Sequence, residues 1–171
     1  MNATRIIAIR HGETAWNVDT RLQGHLDIGL NARGQWQAQR AAQALTDESI
    51  AAIYSSDLSR ARATAQAIAD QCSGDAAGQV RLHTGLRERI THTVHALASQ
   101  HVGEQIVLVA HGGVMDALYR LATGQDIESP RTWDLGNAAI NRLLWTPDGL
   151  TLVGWSDTRH LDAAVLDEAS A

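Results

Sequence analysis

Two stretches of this chain share one design. Residues 6–12 read IIAIRHG, and residues 105–113 read QIVLVAHGG. Each is a short unbroken apolar run that leads into a histidine followed by glycine, the first by way of Arg10. An unbroken run of this length suits a strand buried on both faces, the kind found in parallel sheets. Parallel neighbours cannot be joined by tight turns, so the chain between them must supply crossover helices.

The rest of the sequence provides them. Strands are predicted at 4–9, 50–54, 80–83 (short) and 105–110. A polar, glycine-containing loop fills the chain to about residue 30. Asn31 is placed to cap a helix over 32–45, and Asp57 to cap one over 58–70. CSGDAAGQ at 72–79 reads as a loop. Further helices are predicted at 91–101 and at 112–122, the second stopped by Gly124. Residues 139–145 and 150–155 flank TPDG and read as a hairpin. Strands alternating with helices imply a single α/β domain over 1–171. It would be a three-layer sandwich: a largely parallel central sheet, flanking helices and one antiparallel edge hairpin. The acidic, alanine-rich tail after His160 is expected to be loosely held.

Composition narrows the function. The 171 residues carry 14 Lys+Arg against 19 Asp+Glu, a net charge of −5. Such a balance argues against non-specific nucleic-acid binding. The single cysteine, Cys72, excludes an internal disulfide and a cysteine-rich zinc site. No secretory signal pattern and no apolar run of membrane-spanning length occur, so the expectation is a cytoplasmic protein with neither a membrane nor a nucleic-acid partner.

In parallel sheets ligands bind beyond the carboxyl ends of the strands. Arg10, His11 and Gly12 follow the first strand there. Ser55, Ser56 and Asp57 follow the second, with Arg60 and Arg62 on the next helix. Leu86-Arg87-Glu88-Arg89 follows the third, and His111-Gly112-Gly113 the fourth. Arginines at helix N-termini make an anion cradle, because guanidinium forks match phosphate oxygens and the helix end adds N–H donors. Singly, each residue has a plainer reading: Arg10 paired with Glu13, Glu88 with Arg87 or Arg89, and Arg62 and Arg87 solvated. Their joint placement at one edge favours function for Arg10, His11, Arg60 and His111. His92 and His95 are read as a solvated helix face rather than metal ligands. HGG at 111–113 lacks the G-x-S-x-G of an esterase, and the first strand lacks G-x-G-x-x-G.

The motifs RHGET with Trp16-Asn17, LQGHLDIGLNARG, SSDLSRARATA, LRER and AHGG occur in this order. With them the sequence resembles the histidine phosphatase superfamily, also called phosphoglycerate mutase-like. The resemblance implies a metal-independent phosphomonoesterase without a cofactor, acting on a small phosphorylated metabolite. His11 would attack phosphorus and form a phosphohistidine, its other ring nitrogen held by a carbonyl such as that of Gly12. Arg10, Arg60 and His111 would grip the equatorial oxygens. Asn17, Gln23, Gly24 and Gly112 would bind substrate, Glu88 would be the general acid, and Trp16 would wall the pocket. The alternatives are a cofactor-dependent phosphoglycerate mutase and a non-catalytic phospho-ligand module.

One part of the family pattern is missing. Members usually carry a covering segment after LRE that contains Phe and Pro; here Arg89 runs directly into Ile90, and the chain has no Phe and two Pro. The lid is absent between 89 and 90, through loss or through omission of a segment. The flanks match lid-bearing members, which favours omission.

Overall fold

The computed structural model describes residues 2–18, 26–87 and 89–162. Its elements follow in the order β1 (Thr4–Arg10), α1 (Ala15–Val18), α2 (Ala32–Ala44), β2 (Ala52–Ser55), α3 (Ser59–Gln71), β3 (Arg81–Leu82), α4 (Ile90–Ala98), β4 (Gln105–Ala110), α5 (Gly112–Thr123), β5 (Ile140–Thr146) and β6 (Gly149–Asp157). Single 3₁₀ turns lie at Thr84–Leu86 and Arg159–Leu161. The six strands form one sheet in the order β3-β2-β4-β1-β5-β6. β1, β2, β3 and β4 are parallel, whereas β5 runs antiparallel to β1, and β6 to β5. This is the expected α/β sandwich with its antiparallel edge hairpin.

The two-sided burial of the central strands is visible residue by residue. Ile6, Ala8, Ile106 and Leu108 join Val94, Leu97, Val114 and Leu118 of α4 and α5. Ile7, Ile9, Val107 and Val109 face the other way, onto Ala38, Ala42, Ala61, Ala65 and Ile68 of α2 and α3. Successive strand residues point to opposite faces, so an unbroken apolar run feeds both layers at once. Each fully buried aliphatic side chain contributes about 1.5–3 kcal/mol. The alanines of α2 and α3 let those helices lie close to the sheet without any phenylalanine.

Several local expectations need correction. Asp57 does not cap α3. The helix begins one residue late, with Leu58 at the cap position and no side-chain cap of its own. Asp27 Oδ1 instead accepts from the Ser59 N–H at 2.7 Å. The carboxylate of Asp57 is drawn away by Arg87, which binds it bidentately at 2.6 Å and 2.6 Å. A charge-assisted fork outcompetes a neutral cap. Asn31, by contrast, caps α2 through Gly34 N at 2.8 Å. The third strand shrinks to two residues, α4 runs Ile90–Ala98, and the polar loop after β1 contains the short α1. The tail beyond residue 162 lies outside the described residues.

Gly12 and Gly34 explain how α2 meets the end of β1. A Cβ on Gly12 would stand 2.4 Å from the Gly34 carbonyl oxygen, and one on Gly34 only 2.0 Å from that of Glu13. Both obstacles are backbone, so neither can swing aside. Gly34→Ala is therefore expected to destabilise the fold by about 1–3 kcal/mol in chemical denaturation, the usual cost of overpacking. Gly29→Ala, with nothing within 4 Å of its new Cβ, is the matched control.

Candidate active site

The carboxyl ends of β1, β2 and β4 bring Arg10, His11, Ser56 and His111 together. His11 is 2% exposed and its ring lies 5.3 Å from that of His111, nearly edge-on. Its Nδ1 sits 2.7 Å from the Gly12 carbonyl oxygen. A carbonyl only accepts, so Nδ1 carries the hydrogen and Nε2 keeps its lone pair. The His11 carbonyl accepts from Asn137 Nδ2 at 3.0 Å, and Gly12 N donates to Thr64 Oγ1 at 3.0 Å. The backbone of His11 and Gly12 is thus tied to α3 and to the segment before β5.

Burial holds the His11 pKa well below the usual histidine value; the charges of His111, Arg10 and Arg60 push it further down, against the Gly12 hydrogen bond that raises it. Desolvation is the largest cause, ahead of the arginines. His111 is lowered to about 4, again first by burial and then by Arg60, Arg10 and Arg87. Both rings are neutral at physiological pH. His111 Nε2 lies 2.8 Å from Ser56 Oγ, which accepts from Leu58 N. The serine hydroxyl can then donate to Nε2, leaving the hydrogen on His111 Nδ1. That atom is buried with no hydrogen-bond partner among the described residues.

Arg10 does not pair with Glu13. Its Nη1 donates to the Leu135 carbonyl oxygen at 2.6 Å, and its buried Nε has no partner among the described residues. Gly112, the first residue of α5, lies beneath it: a Cβ there would stand 3.4 Å from Arg10 Cζ. Gly112 so keeps the guanidinium face clear, at a helix N-terminus with N–H groups to offer. Arg60, 2% exposed, enters from α3 and its Nη1 donates to the Leu26 carbonyl oxygen at 2.6 Å. Asn17 Oδ1 accepts from Thr14 N at 3.0 Å and Asn137 Nδ2 at 3.3 Å, while its own Nδ2 has no partner among the described residues. One buried and one half-buried imidazole, two guanidiniums and a helix N-terminus converge on one spot, which suits a tetrahedral dianion.

The expected residues Glu88, Gln23 and Gly24 lie outside the described residues. Arg62 is exposed and Arg87 is held by Asp57. His95 lies against Trp145, ring centroids 5.2 Å apart, and among the described residues no cluster of His, Cys, Asp or Glu could hold a metal. Asn137, Leu135 and Ser56 were missed as site residues. Asn137 carries a signal that was available: β5 runs antiparallel to β1, with Ile140 opposite Ile9. The residues just before such a strand return to the carboxyl edge, where the site lies.

Acidification should strain this cluster. A histidine with a lowered folded pKa contributes stability above its unfolded value near 6.5 and loses it as pH falls towards the folded value. His11, His111 and His160 all shift downward. Unfolding free energy is expected to fall between pH 6.5 and 4, and to fall less in His111→Gln. A flat profile across that window would contradict the lowered pKa values of the two site imidazoles.

A site of this kind on an α/β sheet has relatives. The sequence profile of the histidine phosphatase superfamily (branch 1) matches residues 6–89 and 82–158. The chain belongs to that superfamily. It is 33% identical to phosphoglycerate mutase-like protein 4 of Arabidopsis thaliana over 204 aligned positions, covering 92% of this chain and 86% of the relative. It is 29% identical to the metal-independent phosphoserine phosphatase of the same plant, covering 94% and 84%. The crystal structure of phosphoserine phosphatase in complex with 3-phosphoglyceric acid from Entamoeba histolytica superposes with a TM-score of 0.82 at 25% identity, covering 92% of this chain and 99% of that one. The 204 aligned positions exceed the 171 residues of the chain, so the first relative carries residues that this chain lacks. The two profile segments meet at 82–89, next to the junction of Arg89 and Ile90. No helix among the described residues is long and apolar enough to cross a membrane.

Proposed function

We propose that this chain is a metal-independent phosphomonoesterase that hydrolyses a small phosphate ester through a phosphohistidine on His11. The observation that carries the reading is the buried, neutral His11 ring, with Nδ1 fixed by the Gly12 carbonyl and Nε2 left to attack. In the first step Nε2 forms a bond to phosphorus as the ester P–O bond breaks. Arg10, Arg60 and the His111 Nδ1 hydrogen meet the three equatorial oxygens, whose charge redistributes in the transition state. Glu88 gives its proton to the leaving oxygen. In the second step Glu88 takes a proton from water, the water oxygen attacks phosphorus, and the N–P bond breaks to release inorganic phosphate. The arginines neutralise charge, so no metal is called for. Asn17 Nδ2 and the Gly112 N–H are further donors to the bound phosphate, and Gln23 and Gly24 complete the loop side.

The likeness to a phosphoglycerate mutase-like protein supports a second reading. The same phosphohistidine would return its phosphate to a hydroxyl of a phosphoglycerate rather than to water. One experiment separates the two: incubation without metal, first with an aryl phosphate, then with 3-phosphoglycerate and its bisphosphate. Phosphate release from both supports hydrolysis. Isomerisation that outpaces release supports the mutase, and no turnover of either rejects both.

A further inference from the structure

Two residues other than glycine have a positive φ among the described residues, and one of them stands beside the nucleophile. Ala138 has φ 59° and is wholly buried. It takes the third position of the turn over 136–139, which Ala139 N closes by donating to the Gly136 carbonyl oxygen at 3.4 Å. A positive φ at that position normally calls for glycine or asparagine, because a Cβ crowds the backbone in the left-handed region. A residue in such a conformation persists only where its surroundings hold it there. The other case, Ser156, is held by Asn141, whose Oδ1 accepts from the Ser156 N–H at 2.8 Å.

Ala138 is held from two sides. Its N–H donates to the Arg10 carbonyl oxygen at 2.9 Å. Its own carbonyl oxygen lies 2.8 Å from His160 Nε2. A carbonyl only accepts, so that nitrogen carries the hydrogen. His160 is anchored in turn: Arg40 Nε, on α2, donates to the His160 carbonyl oxygen at 3.0 Å. The 3₁₀ turn Arg159–Leu161 thus ties α2 to the turn that enters β5. Next to Ala138 on that turn is Asn137, whose Nδ2 donates to the His11 carbonyl oxygen at 3.0 Å and to Asn17 Oδ1 at 3.3 Å. Asn17 Oδ1 also accepts from Thr14 N and Thr14 Oγ1, so the Asn17 Nδ2 is the end of that amide left for a ligand. A half-buried histidine near a chain end is ordinarily a packing contact. His160 differs in what it grips, the carbonyl of a strained residue whose neighbour holds the backbone of His11.

We propose that His160 is a positioning residue for the reaction at His11: it clamps Ala138 in the left-handed conformation, and the turn so held keeps the Asn137 amide on the His11 carbonyl and on Asn17. This rests on the reading of His11 as the nucleophile. Without the clamp the turn relaxes towards a negative φ, and the Asn137 side chain swings off both acceptors. The His11 backbone then loses a tether at the point where a small displacement of Nε2 from the in-line position slows attack most. Asn17 loses the donor that helps to fix which end of its amide faces the phosphate.

The test compares His160→Ala, His160→Gln and the double variant His160→Ala/Ala138→Gly. Release of phosphate from an aryl phosphate is read beside hydrogen exchange of the Asn137 side-chain amide, followed by NMR. His160→Ala should lower kcat by about tenfold and change KM by less than about threefold, as for one lost hydrogen bond that acts on geometry. Its Asn137 amide should exchange faster. Glycine takes the left-handed conformation without a clamp, so the double variant should regain most of kcat and the slow exchange. His160→Gln can still donate to the Ala138 carbonyl and should lose less than His160→Ala. A histidine that only supported the fold would lower the melting temperature, and glycine at 138 would not restore kcat. Unchanged kcat and exchange in His160→Ala, or a loss that Ala138→Gly leaves in place, overturns the assignment. His160→Phe, which keeps the ring and loses the donor, serves the same comparison if the alanine variant does not fold. No turnover by the unaltered chain rejects the phosphohistidine reading instead, and the exchange of the Asn137 amide then decides the clamp by itself.

Discussion

Replacing His11 by alanine or asparagine is expected to lower phosphate release by at least about 10⁴-fold, to the background rate. Removal of a covalent nucleophile ordinarily has effects of this order, because the remaining groups can only stabilise an uncatalysed attack by water. Asparagine is the sharper of the two. Its amide can still donate to the Gly12 carbonyl, as Nδ1 does now at 2.7 Å, yet it offers no nucleophile on the other side. The fold should therefore survive and phosphate should still bind, since Arg10, Arg60 and His111 are untouched. Steady-state release of phosphate from an aryl ester, read beside a melting curve with and without phosphate, checks both halves. An asparagine variant that folds, binds phosphate and keeps more than about 1% of the activity would mean that attack does not pass through His11.

The second large effect concerns Arg10. Arg10→Met is expected to reduce kcat by about 10²–10³-fold with a smaller change in KM, the usual outcome of deleting a donor that matters most in the transition state. Arg10→Lys should rescue little of it. The guanidinium reaches the Leu135 carbonyl with one nitrogen at 2.6 Å while keeping its buried Nε for the ligand. A single ammonium cannot serve both points. The same variant also tests the electrostatics. Arg10 is one of three charged groups that lower the His11 pKa, but burial is the larger cause. Titration of His11 by NMR in Arg10→Met should show its pKa rising yet staying below the ordinary histidine value. A rise all the way to about 6.5 would make charge, not burial, the dominant cause.

These expectations draw on residues that the sequence revealed unequally. Arg10, His11, Arg60 and His111 were legible because strand ends in a parallel sheet share an edge, and apolar runs mark strand ends well. The six-stranded order was legible in class only, since nothing in an apolar run states its neighbour. Asp57 was misplaced for an energetic reason. Its carboxylate had two uses, a helix cap two or three residues on and a guanidinium thirty residues away, and only the fold reveals that Arg87 is within reach. The space that the missing side chain of Gly12 leaves is filled by the backbone of Gly34, a contact only the fold reveals. Ser56 and Asn137 act on the site through other residues, on His111 and on the His11 carbonyl. Asn137 lies in none of the motifs, and Ser56, though inside SSDLSRARATA, has no role that the motif itself states.

The most direct test of the account is to trap the intermediate. Protein mixed with an aryl phosphate and quenched in alkali within milliseconds should carry phosphate on one site, stable to base and labile to acid. Peptide mapping should place it on Nε2 of His11, at up to one equivalent, forming and decaying at rates compatible with kcat. The label should be missing from His11→Asn. Turnover at the full rate with no acid-labile phosphate on the protein, or a label that persists in His11→Asn, would contradict the phosphohistidine route.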